Sequence, residues 1–271
     1  MHASKWSSLL IALGCQISIF AVPTGAKAAD TLELNQPGTL SVCIVDSNAP
    51  MSSVVDGKLI GYEVSYSEAV AKRLGLKADF KFTVFEGIFA AVANHVCDMS
   101  AGSHSITIDR LKTINFSRPH FVGSYTILSK ADSPVKTEKD LVGKRLGVVA
   151  ASIQESYANE TYKQTSVVPF PDSAALQISL LSGQVDAAFF DGGLAAIYLK
   201  EAPQPLREVI SIPNTDQPAG LGIAKDRPHL LAAVNKAAEE IIADGAYKKI
   251  YADTIGGEAP ALPPADFKPT R

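Results

Sequence analysis

The chain has 271 residues, of which 46% are hydrophobic and 20% charged, with a formal net charge of −3. That composition supports a buried core in one or two domains and excludes a disordered chain. It also lacks the basic stripe a nucleic-acid partner requires. The three Cys and five His show no metal-ligand spacing, so neither a metal nor a cofactor is expected. Enzyme signatures such as Gly-x-Ser-x-Gly, His-Glu-x-x-His or a phosphate-binding glycine loop with Lys are absent as well.

The first residues carry the pattern of an export leader. Lys5 supplies a positive region, Leu9 to Val22 an apolar one, and Ala26-Lys27-Ala28 a small-x-small cleavage site, so residues 1–28 are expected to be removed. Loss of Lys5 and Lys27 would bring the charge to about −5, with His counted as neutral. The apolar stretch is short for a membrane anchor, and lipidation at Cys15 is a weaker alternative. Cys43 and Cys97 then remain, on or beside expected strands. Export permits a disulfide, but strand-borne cysteines favour the expectation of buried free thiols.

From Thr39 the sequence alternates strands and helices, the signature of sheets covered by helices. Leu40 to Val45 reads as a continuous apolar strand, Asp56-Gly57 as a hairpin turn, and Glu63 to Leu74 as a helix ended by Gly75. Strand Phe80 to Val84, helix Gly87 to Asn94 and strand Asp98 to Ala101 follow, and Thr107 reads as the cap of a short helix. A break is expected at Val122 to Ser124. Beyond it come strands Tyr125 to Ser129 and Arg145 to Val149, helix Ile153 to Tyr162, strand Val167 to Phe170, helix Ala174 to Leu181, strand Val185 to Phe190 and helix Leu194 to Lys200. Pro213 to Gly220 reads as a return connection. Asp226 is expected to cap a last long helix with Pro228 near its start, its apolar face formed by Leu230, Val234, Ala237 and Ile241. A Pro- and Ala-rich tail begins at Gly256.

Several segments together resemble the bacterial extracellular solute-binding proteins of family 3, the periplasmic amino-acid-binding components of ABC transporters. They are Gly61-Tyr62-Glu63-Val64, Ser105-Ile106-Thr107-Ile108-Asp109-Arg110, Phe116-Ser117-Arg118-Pro119, Gly183-Gln184-Val185-Asp186-Ala187 and Asp244-Gly245-Ala246-Tyr247. The resemblance covers nearly all of the chain after the leader. It implies an α/β fold of the type II periplasmic-binding-protein kind, two lobes joined by a two-strand hinge. Residues 29–122 with 219–271 would form lobe 1 and residues 123–218 lobe 2. It further implies an exported periplasmic monomer that closes on a small amino-acid-like ligand and delivers it to the permease of an ABC importer.

Candidate site residues follow. Arg110 opposes the dipole of its helix, which makes sense if its guanidinium forks onto a carboxylate; the resemblance assigns it the ligand's α-carboxylate, against the plainer reading of an exposed surface Arg. Gly102, Ser103 and Ser105 leave a strand where α/β folds place ligands, and small residues there admit close approach of an anion to N–H and hydroxyl groups. Ser152-Ile153-Gln154-Glu155 has the form of a capping box. In the resembling proteins that loop closes on the carboxylate; with Ile153 in place of their Thr, contact there would be through backbone only. Asp191 ends a strand and would take the ligand's ammonium, or else cap the turn at Gly192-Gly193. The resemblance also assigns Asp46 and Phe85 to the ligand's side chain. Ala49 and Ser52 stand where the family has aromatics, which suggests a roomier, more polar pocket. The competing readings are a dehydratase-like enzyme on the same fold, with His104 or Glu86 as its acid or base, and a ligand-sensing domain.

Overall fold

A computed structural model describes residues 32–270, apart from the side chains of Thr215 and Asp216. The expected leader, its cleavage near Ala28 and Cys15 lie outside the described residues.

β1 (Thr39–Ile44) is buried almost end to end, as a strand covered by helices on both faces must be. A small antiparallel sheet follows, made of β2 (Ser47–Asn48), β3 (Ser52–Val55) and β4 (Lys58–Ile60). Its β3–β4 turn is Asp56-Gly57, both at positive φ, 50° and 75°, the backbone that a two-residue hairpin of the expected kind needs. Gly61 brings the chain so close to the preceding loop that a Cβ there would lie 2.4 Å from the Met51 carbonyl oxygen. α1 (Tyr62–Arg73) starts at once and ends before Gly75, whose φ is 70°. β5 (Lys77–Phe82), α2 (Ile88–Ala93), β6 (Met99–Ala101), α3 (Arg110–Thr113) and β7 (Asn115–Phe116) complete this stretch.

The second stretch contains β8 (Phe121–Lys130), β9 (Arg145–Val149), α4 (Ile153–Thr161), β10 (Ser166–Phe170), α5 (Ser173–Ser182), β11 (Ala187–Asp191), α6 (Gly192–Glu201) and β12 (Leu206–Ala219). The chain then returns as β13 (Gly222–Ile223), α7 (Pro228–Ala243) and α8 (Ala246–Thr254). One five-stranded sheet runs β5-β1-β6-β13-β7 and the other β10-β9-β11-β8-β12. The lobes therefore share two crossings, at the start of β8 and the end of β12. These lie side by side, Phe121 pairing with Ala219 while His120 N–H donates to the Ala219 carbonyl.

Leu230, Val234, Ala237 and Ile241 are all buried, packed with Leu40, Val42 and Tyr66 in the core of the first lobe. Each of the larger ones contributes roughly 1.5–3 kcal/mol by leaving water. The second lobe has two cores, one on each face of its sheet, around Ile127 and Leu146 and around Leu128 and Phe190.

Four sequence expectations change. Cys43 and Cys97 are not free thiols but a disulfide, their Cα atoms 5.6 Å apart, because β6 pairs directly with β1 and brings the segment leading into it, which carries Cys97, alongside. The break in the alternation expected at Val122–Ser124 is not an irregular segment but strand, β8 running through it as it crosses between the two sheets. Pro213–Gly220 is mostly strand, with a register shift between Asn214 and Ala219 that accommodates the prolines. Asp226 does not cap α7 but pairs with His95; the carboxylate of Glu33, far back in the chain, accepts from the His229 and Leu230 amides instead.

Candidate functional site: an interlobe cleft at the strand ends

Strands β1 and β6 of the first lobe and β9, β10 and β11 of the second run out into one cleft with about 750 Å³ of atom-free space, part of it open to solvent. This is the carboxyl edge at which α/β sheets leave room for ligands. Asp46, Phe85, Gly102, Ser103, Ser105, Arg110, Ser152, Ile153 and Asp191 all line it.

Arg110 is held in a fixed pose. Its amide donates to Thr107 Oγ1 at 3.2 Å, the cap expected from the sequence. Its guanidinium lies over two rings, with Cζ 5.6 Å from the Phe85 centroid and 5.0 Å from that of Phe89, so the positive charge sits on aromatic faces. The hydrogen-bond partners of the guanidinium are carbonyls, Ser105 O at 3.0 Å and, from the other lobe, Ala151 O at 3.2 Å. Burial pushes it down to about 10, against the influence of Tyr125 and Asp191, and it remains a cation at neutral pH.

Asp191 faces it from the opposite lobe. It occupies the first position before α6 without capping that helix; its carboxylate turns into the cleft, accepting from Asn48 Nδ2 at 3.0 Å and Gln154 Nε2 at 2.7 Å. Both partners are neutral amides. Burial pushes the carboxyl above its ordinary range, those two hydrogen bonds and Arg110 pulling it back only in part. Gly192 follows in close approach to β8: a Cβ there would lie 2.1 Å from Ser124 Oγ, which would have to turn away, and 3.1 Å from the Ser124 carbonyl oxygen.

The Gly102–Ser105 loop is pinned from behind. Ser103, at φ 54°, donates both its amide, at 2.6 Å, and its hydroxyl, at 3.1 Å, to Glu63 Oε1. Its donors are thus spent within the protein, and its carbonyl and Oγ lone pairs are what it offers the cleft. Ser105 Oγ meets Tyr125 Oη at 2.7 Å. At α4, Ser152 Oγ accepts from the Glu155 amide at 3.1 Å, while Glu155 reaches back to the Ala151 amide at 2.7 Å, one residue earlier than a capping box would. Ser152, Ile153 and Gln154, at the start of α4, all line the cleft. Asp46 is exposed at the rim.

His104 and Glu86 are not among the lining residues. The His104 ring is fully buried against Phe85 and Phe89, and burial, with Arg110 adding to it, pushes it down to about 3. It is neutral and lies behind the cleft-lining Gly102. Ala49 and Ser52 also stand off the lining: Ala49 packs against the second lobe's core and Ser52 is fully buried. The polar character of the cleft comes instead from Ser47, Asn48, Thr83 and Gln154. Of these, Gln154 was visible only as a filler of the capping-box pattern, and Asn48 carried no signal at all.

Known proteins similar to this chain include amino-acid-binding proteins. The chain is 28% identical over 229 residues, 83% of its length and 86% of the relative's, to the L-cystine-binding protein TcyJ of Escherichia coli (strain K12). Among solved structures it is similar to an ancestral arginine-binding protein bound to glutamine, at 32% identity and a TM-score of 0.78, over 82% of this chain and 100% of that one. It is also similar to an ancestral amino acid-binding protein described as a precursor of cyclohexadienyl dehydratase, at 29% identity and a TM-score of 0.72, over 80% and 94% of the two chains. Residues 40–257 match the family as a whole, and the chain belongs to the bacterial extracellular solute-binding proteins, family 3.

Proposed function

We propose that the protein captures a free α-amino acid between its lobes and hands it to the permease of an ABC importer. One observation carries this reading: a half-buried guanidinium bonded to carbonyls and a half-buried carboxylate bonded to neutral amides face each other in one cleft and do not pair. Each lacks a counter-charge, and a zwitterion supplies both. The α-carboxylate would take Arg110, the Ser105 hydroxyl and the amides at Ser152–Ile153, where the helix N-terminus favours an anion; the ammonium would take Asp191 and the acceptors of Ser103. Phe85 would pack on the ligand's aliphatic part, and Asp46 would face its distal end.

The charges favour a ligand with a polar, net-cationic side chain. Among the described residues, Asp46, Asp172 and Asp191 line the cleft with one cation, Arg110; once the zwitterion has matched Arg110 and Asp191, two carboxylates remain. The names of the relatives, which include binders of cystine and arginine, agree with a polar ligand. We place the hinge at residues 122 and 219 and the mature N-terminus near residue 29, in a cell compartment oxidising enough for the Cys43–Cys97 bridge. Against an enzyme, neither His104 nor Glu86, the candidates for its acid or base, is among the described residues that line the cleft.

A thermal-shift panel tests this, because a ligand that binds only the folded protein raises the melting temperature. L-Arginine, L-lysine, L-histidine, L-glutamine and L-cystine should include the strongest stabiliser. Largest shifts from L-glutamate, L-aspartate or L-leucine would overturn the charge argument, and no shift from any amino acid would overturn the proposed function.

A further inference from the structure

Behind the cleft lies a charged group that touches no solvent. Glu63, on the first turn of α1, is 0% exposed. Its Oε1 accepts from the amide and the hydroxyl of Ser103, and its Oε2 meets Nε2 of the equally buried His120 at 3.0 Å. Burying a carboxylate is costly unless several donors surround it, and here two of the donors belong to a residue of the binding loop.

The rest of the surroundings ties that loop to the hinge. His120 is the last residue before β8; its carbonyl accepts from Tyr62 Oη at 2.6 Å and its amide donates to Ala219 at the end of β12. The loop itself is bonded to the same crossing, Gly220 N–H to His104 O and Ile106 N–H to Pro218 O, both near 3 Å. Ser103 sits in the left-handed region, at φ 54°, which a residue with a side chain leaves unless something holds it there.

We propose that Glu63 is a positioning residue for ligand binding: through Ser103 and His120 it fixes the Gly102–Ser105 loop to the root of the hinge, so that Ser105 and Arg110 meet the ligand in the geometry the closed lobes require. It touches no ligand and acts through Ser103. The inference rests on the proposed amino-acid site, but its mechanical half does not.

Glu63→Gln tests it, being nearly isosteric, and Glu68→Gln, exposed on the same helix, is the control. In the ligand-free protein, amide hydrogen exchange read by NMR should accelerate about tenfold or more at Ser103 in Glu63→Gln, the loss expected when a hydrogen bond to a charged acceptor becomes a neutral one, while Val42 and Ile44 in β1 keep their protection. In parallel, the strongest stabiliser from the amino-acid panel should bind Glu63→Gln about tenfold or more weaker by calorimetry, and Glu68→Gln like the wild type. The affinity losses of Glu63→Gln and Ser103→Ala should combine in the double variant to less than their sum, the coupling expected if Glu63 acts through Ser103, whereas additive losses would mark two independent structural effects and overturn the proposal's functional half. Unchanged Ser103 exchange overturns the proposal whether or not any amino acid binds. Unchanged affinity with accelerated exchange overturns its functional half. If no amino acid binds the wild type, it is the amino-acid reading that has failed, and the exchange result still decides the prop.

Discussion

Replacing Asp191 by Asn should separate the cost of a buried charge from its use. That carboxylate sits in the cleft on two neutral amides, and burial has already pushed its pKa up; without a cation beside it, its ionised form is a burden on the folded state. Asn is isosteric, can still accept from one of the two amides and sheds the charge, so the melting temperature should stay within about 4 °C of wild type, the equivalent of roughly 1 kcal/mol for a chain of this size. Affinity should collapse. Removing one partner of a buried, hydrogen-bonded ion pair costs about 2–5 kcal/mol, or about 30-fold to several thousand-fold in Kd.

The same group sets opposite pH slopes for the two properties. Because the folded pKa lies above the unfolded one, the folded protein takes up the proton first as pH falls. Its penalty is therefore relieved through that window, and the contribution of Asp191 to ligand-free stability improves toward the unfolded value near 3.8. Ligand affinity falls over the same window, since a neutral carboxyl cannot balance an ammonium. Calorimetry of wild type and Asp191→Asn with the best panel ligand, from pH 7 downward, reads both. A variant that binds within about threefold of wild type, as loss of an exposed ion pair would allow, refutes the zwitterion grip.

Other outcomes follow from the structural scaffold. Cys43→Ser with Cys97→Ser, or reduction of the native protein, should destabilise the first lobe by about 4 kcal/mol by loop-closure entropy for a bridge spanning 54 residues; a denaturation midpoint indifferent to reductant would argue that the bridge does not form. Glu33→Ala should cost about 1 kcal/mol, as for loss of a helix cap. Burial pushes the Glu33 carboxyl up, but the Leu230 and His229 amides outweigh it and hold it below its ordinary value, so its contribution should be present above pH 4.5 and vanish as pH falls through the folded pKa; acid unfolding unchanged by the substitution would contradict this. Asp98→Ala should be the most damaging surface-remote change, about 3–5 kcal/mol, because it strands the buried Arg227 guanidinium and frees the Asn35 and Ser41 amides; a loss under about 1 kcal/mol in urea denaturation would place that pair among weak ion pairs.

What the sequence revealed depended on whether a signal was local. Helix α1 could be read because Gly75 marks its end and the apolar residues repeat; β9 could be read because Arg145–Val149 is an apolar run between turn residues. The start of α7 was misread because the capping group is not the adjacent Asp226 but Glu33, and no periodicity reports a partner about two hundred residues away. The disulfide was missed for the same reason: pairing of β1 with β6 is a property of the sheet order, not of either segment. The site divides similarly. Arg110 and Asp191 lie at strand and helix ends, but from the residues alone a surface Arg and a turn cap explain them as well, and only the family resemblance assigned them to a ligand. Asn48 and Gln154 are unremarkable in sequence, and their role emerges only where two lobes bring them onto one carboxylate.

That pairing of two amides with one carboxylate bears on how closure can be both reversible and ligand-dependent. Asn48 belongs to the first lobe and Asp191 to the second, so their 3.0 Å hydrogen bond crosses the cleft, as does Arg110 to Ala151 O at 3.2 Å. Each crossing bond pairs a charged group with a neutral one. A Lys in place of Asn48 would lock the lobes with a buried ion pair and leave Asp191 nothing to offer a ligand; an apolar residue would leave the carboxylate bare and the ligand-free lobes free to splay. An amide lies between these extremes: it compensates the desolvated carboxylate in part, and it yields to a full ammonium, which makes the stronger, charge-assisted bond. On the other side, the carbonyls of Ser105 and Ala151 stand in the same relation to Arg110 and a carboxylate. Under the proposed function, closure without ligand is made of bonds that the two ends of a zwitterion improve at once, and a ligand carrying only one of those charges improves only half of them.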